Sequence, residues 1–183
     1  DAVIGEERRR AMFETVDLHV MNDYVDQGAD FRRTIETTAT QYPDFKDEIL
    51  MWYFDWIKMA RPEIPGSIKL LRALRTKGVP VFALTNFGIE SFEFAETQYP
   101  VLTEFDRRYV SGRMGCVKPQ SLIYELVEAD CKIAPERLLF TDDRQDNIDM
   151  AQARGWQVHL FEGSAGWAER LISEGLLAAQ DLA

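Results

Sequence analysis

Leu138-Leu139-Phe140-Thr141-Asp142-Asp143-Arg144-Gln145-Asp146-Asn147 decides how this chain folds. An apolar, strand-forming run ends in two adjacent carboxylates, and a helical pattern follows that places Asn147 one turn beyond Asp143. In open α/β sheets, ligands bind outside the carboxyl ends of the strands, so such a tip is where chemistry is expected. Hard oxygen ligands at a strand tip suit Mg²⁺, which keeps several waters and takes one or two carboxylates together with substrate phosphate. The plainer account is a cluster of aspartates that caps the helix and favours its dipole. Two neighbouring carboxylates repel unless a cation or a proton relieves them, which favours metal binding at Asp142, Asp143 and Asn147. Asp146 is expected to face solvent.

Two further polar clusters precede this one, each in a strand–loop–helix context. Val79 to Leu84 is a short apolar run rich in β-formers, as a buried parallel strand should be. Thr85-Asn86 follows it, and Asn86-Phe87-Gly88 turns into a helix from Ile89 to about Gln98. A hydroxyl and a backbone N–H beside a helix N-terminus suit phosphate oxygens, although either residue could simply cap that helix. Lys118-Pro119 comes after a Gly-rich loop, Ser111 to Gly115, and directly before a helix carrying Leu122, Ile123, Leu126 and Val127. The helix dipole disfavours a lysine at that end, and an anion between the two would explain it. An ordinary surface lysine is the alternative.

The rest of the chain supplies the frame. Brief strands are predicted at Arg108 to Val110, Arg137 to Phe140 and Gln157 to Phe161, with helices at Pro65 to Lys77, Gln145 to Arg154 and Ala165 to Ile172. Strands alternating with helices of this length imply right-handed crossovers and a doubly wound parallel sheet of the α/β class. The first third shows no strand. It reads as helices over Glu6 to Phe13, Thr15 to Tyr24 with an apolar stripe at Val16, Val20 and Tyr24, Phe31 to Tyr42 capped by Asp30, and Phe45 to Met59. The expected organisation is therefore a helical cap over residues 1–61 and an α/β core over 62–183. The cap aromatics Trp52, Tyr53, Phe54 and Trp56 are expected mainly as bundle core.

A chain of 183 residues with 46% apolar and 11% aromatic content can bury a sizeable core. Its formal charge of −10 argues against a general nucleic-acid binder, which needs a basic stripe to release counterions. No apolar run approaches the roughly 20 residues of a membrane span. With 2 histidines and 2 cysteines lacking metal-ligand spacing, a His-rich zinc site is not expected. The cysteine usage and the lack of a secretory leader point to the reducing cytoplasm.

Phe82-Ala83-Leu84-Thr85-Asn86, Val117-Lys118-Pro119 with Ile123-Tyr124, and Phe140-Thr141-Asp142-Asp143 through Asn147 and Gly155 resemble the second, third and fourth motifs of the haloacid dehalogenase-like hydrolase superfamily. The doubled aspartate followed by Asn147 is similar to its sugar-phosphatase-like branch, which includes the phosphatase domain attached to epoxide hydrolases. The resemblance implies a Rossmann-like core with a helical cap, and Mg²⁺-dependent hydrolysis of a small phosphorylated metabolite through an aspartyl-phosphate. Thr85 and the Asn86 backbone would then hold phosphoryl oxygens, and Lys118 would neutralise nucleophile and phosphate. Asp143 would bind the metal directly, with Asp142 and Asn147 acting mainly through water. The superfamily's first motif, a strand ending in the nucleophilic aspartate, has no convincing counterpart. Asp1-Ala2-Val3-Ile4 is the one candidate, and the expectation is that roughly 20 or more residues of the natural protein precede this chain. Carbon–halogen hydrolysis, as in 2-haloacid dehalogenases, and a non-catalytic binding role on the same fold are the alternatives.

Overall fold

In the computed structural model, which describes residues 4–182, four helices come before any strand: α1 (Glu6–Thr15), α2 (Leu18–Asp26), α3 (Phe31–Gln41) and α4 (Lys46–Asp55). Asp1, the candidate first-motif residue, lies outside the described residues. Asp17 starts α2 by accepting from the Val20 N–H, and Asp30 starts α3 by accepting from the Arg33 N–H at 2.6 Å, as its position before Phe31 implied. The apolar stripe of α2 differs from the expected one. Leu18, Met21 and Val25 are buried, while Val20 and Tyr24 face outward, because the chain breaks at Val16 and the helix restarts from the Asp17 cap. The bundle core joins Met12, Val16, Leu18, Met21, Val25, Phe31, Ile35 and Ile49, with Trp52, Tyr53 and Trp56 half-buried against it. Phe54 is exposed, so it is not core.

After Pro65, which occupies the first turn of α5 (Pro65–Thr76), strands and helices alternate: β1 (Phe82–Thr85), α6 (Ile89–Gln98), β2 (Arg107–Val110), α7 (Ser111–Met114), α8 (Ser121–Cys131), β3 (Leu139–Asp142), α9 (Gln145–Ala153), β4 (Gln157–Leu160) and α10 (Ser164–Ser173). β1 begins later than the apolar run suggested. Gly78 turns back with φ 73° and Val79 closes the end of α5 on the Leu74 carbonyl, so Val79 and Val81 pack into a helical layer before the ladder begins. The expected Gly-rich loop is instead the single turn α7, closed by the Gly115 N–H on the Ser111 carbonyl. β1 pairs parallel with β2, Phe82 opposite Arg107 and Thr85 opposite Val110; β3 pairs parallel with β4, Leu139 opposite Gln157 and Asp142 opposite Leu160.

Helices cover both faces of these strands. Phe82, Leu84, Phe140 and Val158 pack on α8 and α9 through Ile123, Tyr124, Val127 and Ala151, while Val81 and Leu139 pack on α5 and α10 through Leu70, Leu74 and Leu171. Both apolar layers run across the two strand pairs, which is the doubly wound arrangement. Yet the pairs do not form one ladder: among the described residues the strands make two two-stranded sheets, and β1 and β3 each keep one edge unpaired. All four residues of each of these strands are only partly buried, as open edges require. The parallel direction brings Thr85 and Asp142, the last residues of β1 and β3, to the same end of the molecule.

Candidate active site

At that end a cleft of about 290 Å³ is lined on the core side by Thr85, Asn86, Lys118, Asp142, Asp143 and Asn147, with Arg144 at its edge. The structure thus brings together every site residue singled out from the sequence. It also adds a wall that the sequence did not reveal: His19, Asn22, Asp23 and Asp26 of α2.

Lys118 organises the floor. Its Nζ donates to the Leu84 carbonyl at 2.9 Å and to Asp142 Oδ2 at 2.5 Å, so one ammonium spans the tips of both strand pairs. The two side chains are 9% and 8% exposed, which makes this a buried ion pair rather than a surface one. Of the three ammonium donors, two are spent on protein and one is left for an anion. Asn86 holds the lysine in place. Its Oδ1 accepts from the Lys118 N–H at 2.8 Å and its Nδ2 donates to the Lys118 carbonyl at 2.9 Å. The Asn86 side chain is therefore consumed in positioning, leaving the backbone as the part available to a ligand. The Thr85 hydroxyl makes no hydrogen bond among the described residues.

The two aspartates differ sharply. Asp142 Oδ1 accepts from the Arg144 N–H and from Asn147 Nδ2, each at 2.9 Å, while Oδ2 takes Lys118, so both oxygens are engaged. Asp143 is exposed at the cleft and makes no hydrogen bond or ion pair among the described residues. The start of α9 is served by Asp142 and by Asp146, whose Oδ1 accepts from the Asn147 N–H, so Asp143 caps nothing. Asp146 is half-exposed as expected, but Arg144 forks onto both of its oxygens, and this pairing holds its carboxyl below the usual range. Asn147 is 2% exposed, and its Oδ1 has no partner. Its backbone is fixed by the buried Tyr124, whose hydroxyl donates to the Asn147 carbonyl at 3.0 Å. Burial, then the charge of Asp142, pushes the Tyr124 phenol upward, so it stays a donor at any physiological pH.

One free carboxylate and one unpartnered amide oxygen make a donor set of hard oxygens, which fits Mg²⁺ holding most of its waters. It does not fit a metal that needs a full protein cage, and no group of three potential acidic, histidine or cysteine ligands exists among the described residues.

The α2 wall is seated on the core by groups that no sequence pattern marked. Ser111 Oγ, fully buried, accepts from the Phe87 N–H at 2.8 Å and donates to the Asp26 carbonyl at 2.6 Å. Gly28, at φ 101°, lies so close to the Gly112 carbonyl that a Cβ would come within 2.6 Å of its oxygen. The Phe31 N–H donates to Glu90 of α6 at 2.8 Å. Asp26 itself is half-buried. Burial first, and the charge of Asp23 second, push its carboxyl up to about 6, against the Asn22 amide that donates to it at 2.9 Å. No helix among the described residues is long and apolar enough to cross a membrane.

Comparison with known proteins gives this geometry a context. The chain is 29% identical over 79 residues to the D-ribitol-5-phosphate phosphatase of Bacteroides thetaiotaomicron, covering 43% of this chain and 38% of the relative. It is 32% identical over 97 residues to haloacetate dehalogenase H-2 of a Moraxella species, covering 53% of this chain and 42% of that protein. The matched segments thus span about two fifths of these curated relatives. A HAD family enzyme of Bacteroides thetaiotaomicron shares the fold with a TM-score of 0.63 and 19% identity, over 90% of this chain and 84% of the other. The same enzyme is known with magnesium and inorganic phosphate, at a TM-score of 0.59 and 18% identity over 88% and 86% of the two chains. A family profile matches residues 6–155, from the first cap helix through the Asp142-Asp143 strand and α9, and by that match the chain belongs to the haloacid dehalogenase-like hydrolases.

Proposed function

We propose that this protein hydrolyses phosphomonoesters of small metabolites with Mg²⁺ as cofactor, through an aspartyl-phosphate. The observation that carries the proposal is the shared lysine. Lys118 ties Leu84 of β1 to Asp142 of β3, and the Thr85 hydroxyl and Asp143 carboxylate stand in the same cleft without a partner among the described residues. Phosphoryl transfer asks mainly for positioning and for neutralisation of charge on nucleophile, phosphate and leaving group. In this arrangement Thr85 and the Asn86 backbone N–H hold phosphoryl oxygens, and the third Lys118 donor meets the anion. Asp143 would hold the metal directly, and Asp142 and Asn147 would act on it mainly through water, Asp142 also keeping Lys118 in place. The metal, when bound, neutralises phosphoryl charge. The division into a cap over 1–61 and a core over 62–183 belongs to the same proposal, with the cleft between them.

A carboxylate nucleophile is the remaining part. We propose that it reaches the cleft from a strand outside the described residues, lying between the unpaired edges of β1 and β3. Its oxygen attacks phosphorus as the ester P–O bond breaks, and the alcohol leaves with a proton from an acid. Water then attacks the phosphorus of the aspartyl-phosphate, releasing inorganic phosphate and the carboxylate. A relative that hydrolyses phosphate esters and a neighbour that holds magnesium with phosphate support this reading. The dehalogenase alternative uses no metal and leaves Asp143 without a task. The test is hydrolysis of an aryl phosphate, with and without Mg²⁺, by the product of the full encoding reading frame. Mg²⁺-dependent turnover that is lost in Lys118→Met supports it, and no turnover across a broad panel of phosphate esters rejects it.

A further inference from the structure

Tyr124 of α8 is the largest fully buried side chain among the described residues, and it ends in a polar group. Its ring stands edge-on to Phe140 of β3 and to Trp156, with centroids 6.1 and 5.4 Å away. A buried phenol needs an acceptor, and many carbonyls would serve that need equally well. This hydroxyl reaches the Asn147 carbonyl, in the first turn of α9. Asn147 lines the cleft with its unpartnered Oδ1, and its Nδ2 is tied to Asp142 Oδ1. Other side-chain hydrogen bonds of residues 143–147, among the described residues, stay within residues 142–149. Arg144 and Asp146 pair with each other, Asp146 also takes the Asn147 N–H, and Gln145 reaches Asp149. Tyr124 is therefore the side chain that anchors this turn from another element.

We infer that Tyr124 is a positioning residue for the metal: its hydroxyl holds the Asn147 backbone so that the amide oxygen is presented to the hydrated ion. The inference rests on the phosphatase reading above, which supplies the metal. Helix ends fray, so an anchor in the first turn of α9 has more to hold than one in the middle of the helix. Mg²⁺ keeps several of its waters and demands near-ideal geometry, so acceptors that reach it through water must be held still. Groups that orient such acceptors set metal affinity without touching the ion. Lys118 does not depend on this hydroxyl. Its ammonium is held by Leu84 and Asp142, and its backbone by Asn86. The loss of the hydroxyl should thus fall on the metal through Asn147.

Tyr124→Phe removes the hydroxyl and keeps the ring with its edge-on contacts. The product of the full encoding reading frame and its variants are titrated calorimetrically with Mg²⁺ near neutral pH. Tyr124→Phe should weaken Mg²⁺ binding about tenfold. Tyr109→Phe is the control, because that hydroxyl donates to Asp130 at 2.8 Å and neither residue lines the cleft. It should leave Mg²⁺ affinity at the parent's value. In an Asn147→Ala background, where the amide oxygen is already gone, Tyr124→Phe should change Mg²⁺ affinity by less than about twofold. A parent that binds no Mg²⁺ overturns the phosphatase reading and this inference with it. Mg²⁺ binding that Tyr124→Phe leaves unchanged, that Tyr109→Phe weakens equally, or that Tyr124→Phe weakens as much without Asn147 as with it overturns the role of Tyr124 alone. A Tyr124→Phe protein unfolded at the titration temperature does the same, since it assigns the hydroxyl to the fold.

Discussion

Asp142→Asn probes the pair that ties the two strand pairs together. The substitution keeps size and the acceptor for the Arg144 N–H, but among the described residues it leaves the Leu84 carbonyl as the remaining hydrogen-bond acceptor of the Lys118 ammonium. Both side chains of the pair are less than 10% exposed, so the ammonium cannot recover full hydration. Breaking a buried pair by removing one partner costs about 3–5 kcal/mol, against about 0–1 kcal/mol for an exposed pair. For a chain of this size that corresponds to a fall in Tm of roughly 6–20 °C. Asp143→Asn is the internal control. Asp143 has no ion pair to lose, so its neutral variant should melt within about 1–2 °C of the parent. Mg²⁺ should separate the two in the opposite sense: millimolar Mg²⁺ should raise the parent's Tm, and Asp143→Asn should lose most of that shift. Melts followed by far-ultraviolet circular dichroism, with Lys118→Met/Asp142→Asn as the double variant, give all three quantities. The double variant should regain part of the loss, because no unpaired charge then remains buried. An Asp142→Asn protein that melts within 2 °C of the parent would refute the reasoning, as would an Asp143→Asn protein with an undiminished Mg²⁺ shift.

Asn86→Ala removes both hydrogen bonds to the Lys118 backbone and should cost about 1–3 kcal/mol by urea unfolding, with weakened binding of inorganic phosphate in the same protein. Ser111→Ala leaves the Phe87 N–H and the Asp26 carbonyl unpaired at a fully buried point. It should cost about 1–3 kcal/mol and increase amide exchange at the C-terminal end of α2. Asp26→Asn should change the pH profile of stability. The folded carboxyl sits near 6, above its ordinary 3.8, so the native state holds the proton more tightly. That contribution is present below about pH 4 and is lost as pH rises through about 6. The variant, having no proton to lose, should gain on the parent between pH 4 and 7 by about 1–2 kcal/mol after allowance for solvent screening, and a gap that stays flat in thermal melts rejects this account.

The core was legible because its signals are local. Apolar runs ending in Thr85 and Asp142, and a lysine before a helix, carry their meaning within a few residues, and the fold brings all three to one edge. The strand boundaries shifted because chain-end chemistry competes with apolarity: Val79 serves the end of α5 instead of the ladder. The separation of the sheet into two pairs could not be read from periodicity, since the alternation within a strand does not say which edges pair. The cap was harder. Val16, Val20 and Tyr24 show helical spacing, but the Asp17 cap resets the helix, and the buried stripe becomes Leu18, Met21 and Val25. With the stripe placed at Val16, Val20 and Tyr24, the polar face at His19, Asn22, Asp23 and Asp26 is not recognised as facing the cleft. A signal was available in that face, since Asn22, Asp23 and Asp26 cluster on a helix whose other polar positions are few. Ser111 and Gly28 are ordinary turn residues in sequence, and their roles exist only through long-range contact.

Backbone amide NMR of the chain, titrated with Mg²⁺ and then with inorganic phosphate, tests the central claim most directly. The phosphate shifts should depend on Mg²⁺ and concentrate at Thr85, Asn86, Lys118 and the Asp143 to Asn147 turn, and they should collapse in both Lys118→Met and Asp143→Asn. Phosphate shifts that ignore Mg²⁺, that fall away from these strand tips, or that survive both substitutions would contradict the assignment of this cleft as a metal-assisted phosphate site.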